Sequence, residues 1–305
     1  MALSRRRFLQ AGSALSALAS MGVLANVPFS RGDAPPRHSP PAGSVDCHMH
    51  LYDGRYPAVA NAKLLPDDAS LEDYRQLQQR LGMSRMVIVT PSTYGTDNRI
   101  LLDGLLRSQG NARGIAVVDQ SISAEELGRL HDAGVRGIRF NFSTGNTSLD
   151  DLEKLAPRVN ELGWNVQVAC GPHLVELEPH LARLPAKLVI DHMGHVPQPE
   201  GVKSDAFASL TRLLDNERTW IKLSAPYLRS ISGAPHYEDS GKVASALIMR
   251  NAERMLWGSD WPHPTQAADR KPDDAAILDL MWVWAVDEKE RTLILRDNPV
   301  SLYGF

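Results

Sequence analysis

Four residues, widely spaced in the chain, have the side chains for catalysis. His48 and His50 stand two apart in Val45-Asp46-Cys47-His48-Met49-His50, and residues two apart on a strand project from the same face. His192 closes a second apolar run, Lys187-Leu188-Val189-Ile190-Asp191-His192, and Asp260 closes a third, Arg254-Met255-Leu256-Trp257-Gly258-Ser259-Asp260. A carboxylate at the end of a buried strand costs free energy unless it is paired, hydrogen-bonded or metal-bound. Three imidazoles and a carboxylate brought together suit two chemistries. His48, His50, His192 and Asp260 can ligate one divalent ion such as zinc or manganese. Without a metal, the imidazoles can polarise a carbonyl while the carboxylate takes a proton from water. The residue types leave both open, so the expected cofactor is none or one divalent metal.

The elements that must position these groups come from the hydrophobic pattern. Short apolar runs at residues 45–50, 85–90, 113–118, 135–140, 164–169, 187–192, 219–224 and 254–259 alternate with helical periodicity. Strands alternating with helices imply a parallel α/β fold. Eight such units in one chain match a single (β/α)8 TIM barrel over residues 44–305. The rival, an open doubly wound sheet, normally carries a glycine-rich ligand signature, and the sequence contains neither GxGxxG nor a P-loop. Barrel chemistry sits at the C-terminal strand ends. Those ends bring His48, His50, Tyr94, Arg139, Gln167, His192, Ser224 and Asp260 to one rim. Arg139, Tyr94, Gln167, Tyr227 and Arg229 are candidate substrate contacts, with Arg139 alternatively pairing with Asp119 or Asp191. Strict alternation turns Asp191 and Cys47 outward, away from the site. His195 and His263 fall in loops outside the reacting set. Pro179 interrupts the helical pattern of residues 173–184.

Composition narrows the function. A net charge of −3 over 305 residues gives no support to nucleic-acid binding. The two cysteines, Cys47 and Cys170, provide no disulfide framework or zinc ribbon. Ser4-Arg5-Arg6-Arg7-Phe8-Leu9 before the apolar residues 11–23 forms a twin-arginine-type signal over residues 1–25. Its removal deletes three arginines and no acid, taking −3 to −6. Residues 26–43, with Pro35-Pro36 and Pro40-Pro41, read as a disordered linker. The expected location is the periplasm or beyond, with the twin-arginine export machinery as a partner and no membrane association after cleavage.

The motifs also have a family likeness. His48-Met49-His50, Ile190-Asp191-His192-Met193-Gly194 and Trp257-Gly258-Ser259-Asp260-Trp261-Pro262-His263 resemble the amidohydrolase superfamily. Within it the chain is similar to the branch of sugar-lactone and 2-pyrone-4,6-dicarboxylate lactonases, and Arg136-Gly137-Ile138-Arg139-Phe140-Asn141-Phe142 and Asp297-Asn298-Pro299 extend the likeness. The resemblance implies a hydrolase that opens a lactone, with a small-molecule lactone or carboxylate as substrate. It implies Asp260 as the general base, His48, His50 and His192 as carbonyl polarisers, and Arg139 as a substrate anchor. The pyrone lactonases carry a second arginine where this chain has Ser143-Thr144-Gly145-Asn146, and tyrosines where it has Ala169 and Leu64. Their strand-seven arginine has only Arg229 as a counterpart. These departures imply a different lactone. Lactone isomerases of the same branch carry asparagine at Asp260, so hydrolysis is expected here. The alternatives are a lactone isomerase, a metal-dependent amidohydrolase or decarboxylase, and a non-catalytic periplasmic binding protein on the same barrel.

Overall fold

The computed structural model describes residues 27–143 and 147–305. The strands are β1 (Val45–Met49), β2 (Arg85–Val89), β3 (Ala112–Ala116), β4 (Val135–Asn141), β5 (Asn165–Ala169), β6 (Lys187–Ile190), β7 (Thr219–Ser224) and β8 (Met255–Gly258). They pair in parallel in sequence order. The chain beyond β8 returns to β1 and closes the cylinder. Asp260 N–H donates to the His48 carbonyl and His50 N–H to the Trp261 carbonyl, each at 2.8 Å. The expected single barrel is the observed one.

The strands are buried on both faces, as in parallel sheets covered by helices. Met86, Ile88, Ile138, Phe140, Val166, Val168, Ile221 and Leu223 belong to the layer shared with the helices. Val45, Val87, Val89, Ile115, Val189 and Leu256 fill the barrel interior, and Leu302 and Tyr303 pack against them. Helices α1 (Leu71–Leu81), α2 (Arg99–Arg107), α3 (Ala124–Asp132), α4 (Leu149–Asn160), α5 (Leu174–Leu181), α6 (Asp205–Leu214) and α7 (Glu238–Asn251) fill the crossovers. Ser70, Ser123, Ser148 and Ser204 cap α1, α3, α4 and α6 by accepting a backbone N–H. Pro179 lies inside α5 without ending it. The carbonyl it deprives of a partner is that of Val175, which is itself exposed and can be hydrated.

Two expectations drawn from strict alternation are corrected. Cys47 is fully buried in the inner cluster, not turned outward. The β1–β2 register shifts between Asp46 and Met49, and this bulge lets Cys47 and His48 both face inward. Asp191 is also inward, in step with Val189 of the inner cluster; it is His192 that leaves the alternation, its φ of 51° beyond the end of β6 turning it back over the same mouth. Both cysteines are free thiols. Gly258 earns its place at this crossing of β8 and β1: a Cβ there would stand 2.7 Å from His48 Cβ and 2.9 Å from His48 N.

The expected disordered linker also differs from the structure from residue 27 on. Phe29 packs edge-on against Trp261, whose indole N–H donates to the Pro28 carbonyl at 2.9 Å. The guanidinium of Arg80, from α1, donates to the carbonyls of Arg31, Gly32 and Ala34 and to Ser30 Oγ, and pairs with Asp273. Apolar Val27 and Phe29, set among the linker's prolines, give this segment something to bury. The expected twin-arginine signal lies outside the described residues. Among those described, no helix is long and apolar enough to cross a membrane.

Candidate active site

His48 and His50 leave the end of β1 with their Nε2 atoms 3.2 Å apart. Asp260 Oδ1 stands 3.6 Å from each and 3.8 Å from His192 Nε2. Asp260, His192 and His263 adopt positive φ of 64°, 51° and 55°. Such conformations are uncommon away from glycine, and they cluster at functional sites. Here they turn three side chains back over the barrel mouth. All four expected reacting groups therefore converge, each at most 7% exposed.

Each ring is oriented by what its other nitrogen meets. His50 Nδ1 lies 2.8 Å from the Val89 carbonyl, which can only accept. The proton is thus on Nδ1, and Nε2 presents a lone pair. His192 Nδ1 meets Ser224 Oγ at 2.8 Å. His48 Nδ1 stands between a donor, Lys222 Nζ at 3.2 Å, and an acceptor, Asp191 Oδ1 at 3.3 Å. Accepting from Lys222 leaves the His48 proton on Nε2, facing the site; donating to Asp191 leaves a lone pair there.

A buried charge network lies beneath the rings. Asp191 Oδ2 accepts from Arg139 Nε and Gln167 Nε2, both at 3.1 Å. Lys222 Nζ donates to Gln167 Oε1 at 2.6 Å and stands 3.5 Å from Asp191 Oδ1. Burial pushes the Asp191 carboxyl up, but His48, Lys222 and Arg139 more than cancel it, so the group is held well below the usual carboxylate range. Burial pulls the Lys222 ammonium down despite Asp191. Gln167, expected as a substrate contact, is fully buried and bridges Lys222 to Asp191 instead. Arg139 commits its Nε to Asp191 and keeps its other N–H groups.

Above the rings, Tyr227 donates to Asp260 Oδ2 at 2.6 Å and meets His263 Nδ1 at 2.9 Å. His263 Nε2 meets Asp274 Oδ2 at 3.1 Å, with both side chains fully buried. Tyr227 thus holds the Asp260 carboxylate. Tyr94, another expected substrate contact, serves the loop after β1: its hydroxyl accepts from Asp53 N–H at 2.9 Å. Arg229 is exposed at the rim of a small cleft that it lines with His192, Met193 and Gln198. Sequence reasoning missed Lys222, although a lysine in step with Ser224 in an apolar strand was a visible signal. Nothing in the sequence linked His263 to Asp274.

The donor tips fit a divalent ion. Four ligands arranged tetrahedrally about zinc at about 2.0–2.1 Å would lie roughly 3.3 Å apart. The distances among His48, His50 and Asp260 given above are close to this, and these three bring one ligand atom each within 4.8 Å of one another; His192, expected as a fourth ligand, stands outside that group although its Nε2 lies 3.8 Å from Asp260 Oδ1. A second grouping, His48 with Asp191 and His192, also brings ligand atoms within 4.8 Å of one another.

Comparison with known proteins places the chain. The profile of the family described as Amidohydrolase matches residues 45–305. A 2-pyrone-4,6-dicarboxylate hydrolase of Comamonas testosteroni is 36% identical over 282 residues, covering 88% of this chain and 92% of that one. A 4-sulfomuconolactone hydrolase of Rhizobium radiobacter is 36% identical over 279 residues, covering 89% and 93%. The solved structure of a probable 2-pyrone-4,6-dicarboxylic acid hydrolase of Acinetobacter baumannii, with citric acid bound, superposes with a TM-score of 0.78 at 28% identity, covering 86% of this chain and all of that one.

Proposed function

This chain belongs to the amidohydrolase family, and from its site we propose a hydrolase that opens an anionic lactone by attack of water, with Asp260 as the general base. The observation that carries this reading is the convergence of Asp260 Oδ1 on three imidazole Nε2 atoms in one buried mouth. Asp260 Oδ1 takes a proton from water as the oxygen attacks the ester carbonyl. N–H groups of His48 and His192 stabilise the developing oxyanion when their Nδ1 atoms accept from Lys222 and Ser224. The tetrahedral adduct expels the ring oxygen, which takes the proton from Asp260 and leaves as the alcohol of a hydroxy acid. The remaining N–H groups of Arg139 anchor a substrate oxyanion. The relatives' names support an anionic substrate, since both lactones carry acidic groups.

His48, His50 and Asp260 would hold one divalent ion, zinc or manganese, which when bound polarises the carbonyl as a Lewis acid. His50 already presents a lone pair; His48 does so once its Nδ1 proton faces Asp191. Export through the twin-arginine route is part of the proposal, supported by residues 4–9 and testable by fractionating expressing cells. The deciding experiment is turnover of a lactone panel with metal analysis, repeated after chelation. Hydrolysis of an anionic lactone is the expected result; binding of every lactone without ring opening would overturn the reading.

The tyrosine that holds Asp260 gives a second expected result. Tyr227→Phe and His263→Gln should each lower kcat about 10–100-fold, the range for partners that orient a reacting group. Because they act in series, the double variant should be little worse than Tyr227→Phe alone. Multiplication of the two defects would show that His263 does not act through Tyr227.

A further inference from the structure

Between the loops after β7 and β8 lies a cleft of about 390 Å³ that the reaction as described does not use. Arg31, Arg270 and Lys271 line it, with the Tyr227 ring in its wall. Because the Tyr227 hydroxyl is bonded to Asp260, the cleft begins one side chain away from the reacting carboxylate. The side chains of Arg31 and Arg270 make no hydrogen bond or ion pair with any described residue. Lys271 Nζ donates to the carbonyls of Pro262 and His263, both at 2.8 Å, and stands 5.7 Å from the centroid of the Phe29 ring, but it pairs with no acid among the described residues. The one acid in the lining, Asp273, is already paired with Arg80. Three cations thus face a concave space near the catalytic centre without a matching anion.

Arg31 precedes the stretch that the family profile matches, which starts at residue 45. It is nonetheless held firmly. Its N–H donates to the Pro272 carbonyl at 2.9 Å, and its carbonyl accepts from Arg80 at 2.9 Å. The Arg80 guanidinium is fully buried and spends its donors on this segment and on Asp273. A buried arginine devoted to one strap fixes the backbone from which the exposed Arg31 side chain projects.

We propose that Arg31, Arg270 and Lys271 form an oxyanion subsite at the mouth of the reacting centre, where the acidic substituent of the lactone is held. The subsite deepens the lactonase reading and rests on it. The carboxylate or sulfonate is gripped from the β7–β8 side, partly by a segment that precedes the barrel. Several donors on separate elements suit an oxyanion with three or more lone pairs.

The test uses the full chain and a butenolide carrying a carboxymethyl group, beside its neutral methylamide. Wild type is expected to prefer the acid in kcat/KM, and the preference should weaken as salt is raised. Arg31→Gln should reduce the acid-to-amide ratio about ten-fold, Arg31→Lys should retain most of it, and Arg31→Gln/Arg270→Gln should reduce it further. An unchanged ratio in both glutamine variants overturns the subsite while leaving lactone hydrolysis intact. If neither compound is opened, the lactonase reading fails for this ring, and calorimetric titration of the acid decides the subsite separately. A ten-fold weaker Kd in Arg31→Gln supports it; an equal Kd, or no binding by wild type, overturns it.

Discussion

Asp260→Asn is expected to lower kcat about 10³-fold, within the 10²–10⁴ that a positioned general base contributes. The substitution is close to isosteric, and asparagine tolerates the positive φ of 64° at this position. An amide oxygen can still accept from Tyr227, so the loop keeps its anchor, but it cannot take a proton from water. The loss should therefore fall on kcat with the fold intact. Retention of more than about a tenth of the activity would remove Asp260 from its role. The pH profile provides a second reading. Burial pushes the Asp260 carboxyl up, but the three imidazoles beside it, His192 first, more than offset it, so the group is held well below the usual carboxylate range. Burial lowers His48 and His192 below the ordinary histidine value. Both rings therefore titrate on the acid side of an ordinary histidine. Any acid limb of wild-type kcat/KM should therefore fall below the ordinary histidine value, whereas a limb centred near 6.5 would signal an unperturbed histidine.

The barrel was legible because its period is repeated eight times, and each repeat places an apolar run where a strand must be buried on both faces. The reacting quartet was legible for a related reason. His48, His50, His192 and Asp260 are polar residues at the ends of such runs, and a parallel barrel gathers those ends at one rim. What sequence reading lost came from breaks in the period of two. A bulge beside Cys47 and a left-handed turn at His192 each put two successive side chains on the same side, which reversed the readings for Cys47 and Asp191. Gln167 and Tyr94, expected to meet substrate, lie in the expected neighbourhood with hydrogen bonds to other residues of the chain. The parity of a strand says which way a side chain faces, not whether a buried neighbour has already taken its hydrogen bonds. Tyr227 shows the converse: a candidate for substrate is instead the donor that fixes Asp260. The strap at residues 27–43 was misread because proline content was weighed above Val27 and Phe29, which find an apolar surface only in the folded molecule.

The largest stability loss is expected from Asp191→Asn. Asp191 is the one carboxylate among Lys222, Arg139 and His48, and it and Lys222 are fully buried. Asparagine keeps the shape and one acceptor but leaves two cations in the barrel without a counter-charge. Breaking a buried pair in this way costs about 3–5 kcal/mol, which corresponds to a fall in Tm of roughly 6–20 °C for a domain of this size. The alternative is that Asp191 serves only to orient His48, in which case asparagine would cost activity and little stability. A compensating variant separates the two. Lys222→Met in the Asp191→Asn background removes one unpaired cation while keeping an unbranched side chain of similar length. Charge imbalance as the cause requires the double variant to be more stable than Asp191→Asn, even though Gln167 loses its donor. If the double variant is less stable, or the single variant melts with wild type, the buried charges do not hold this end of the barrel together and His48 is positioned by packing alone.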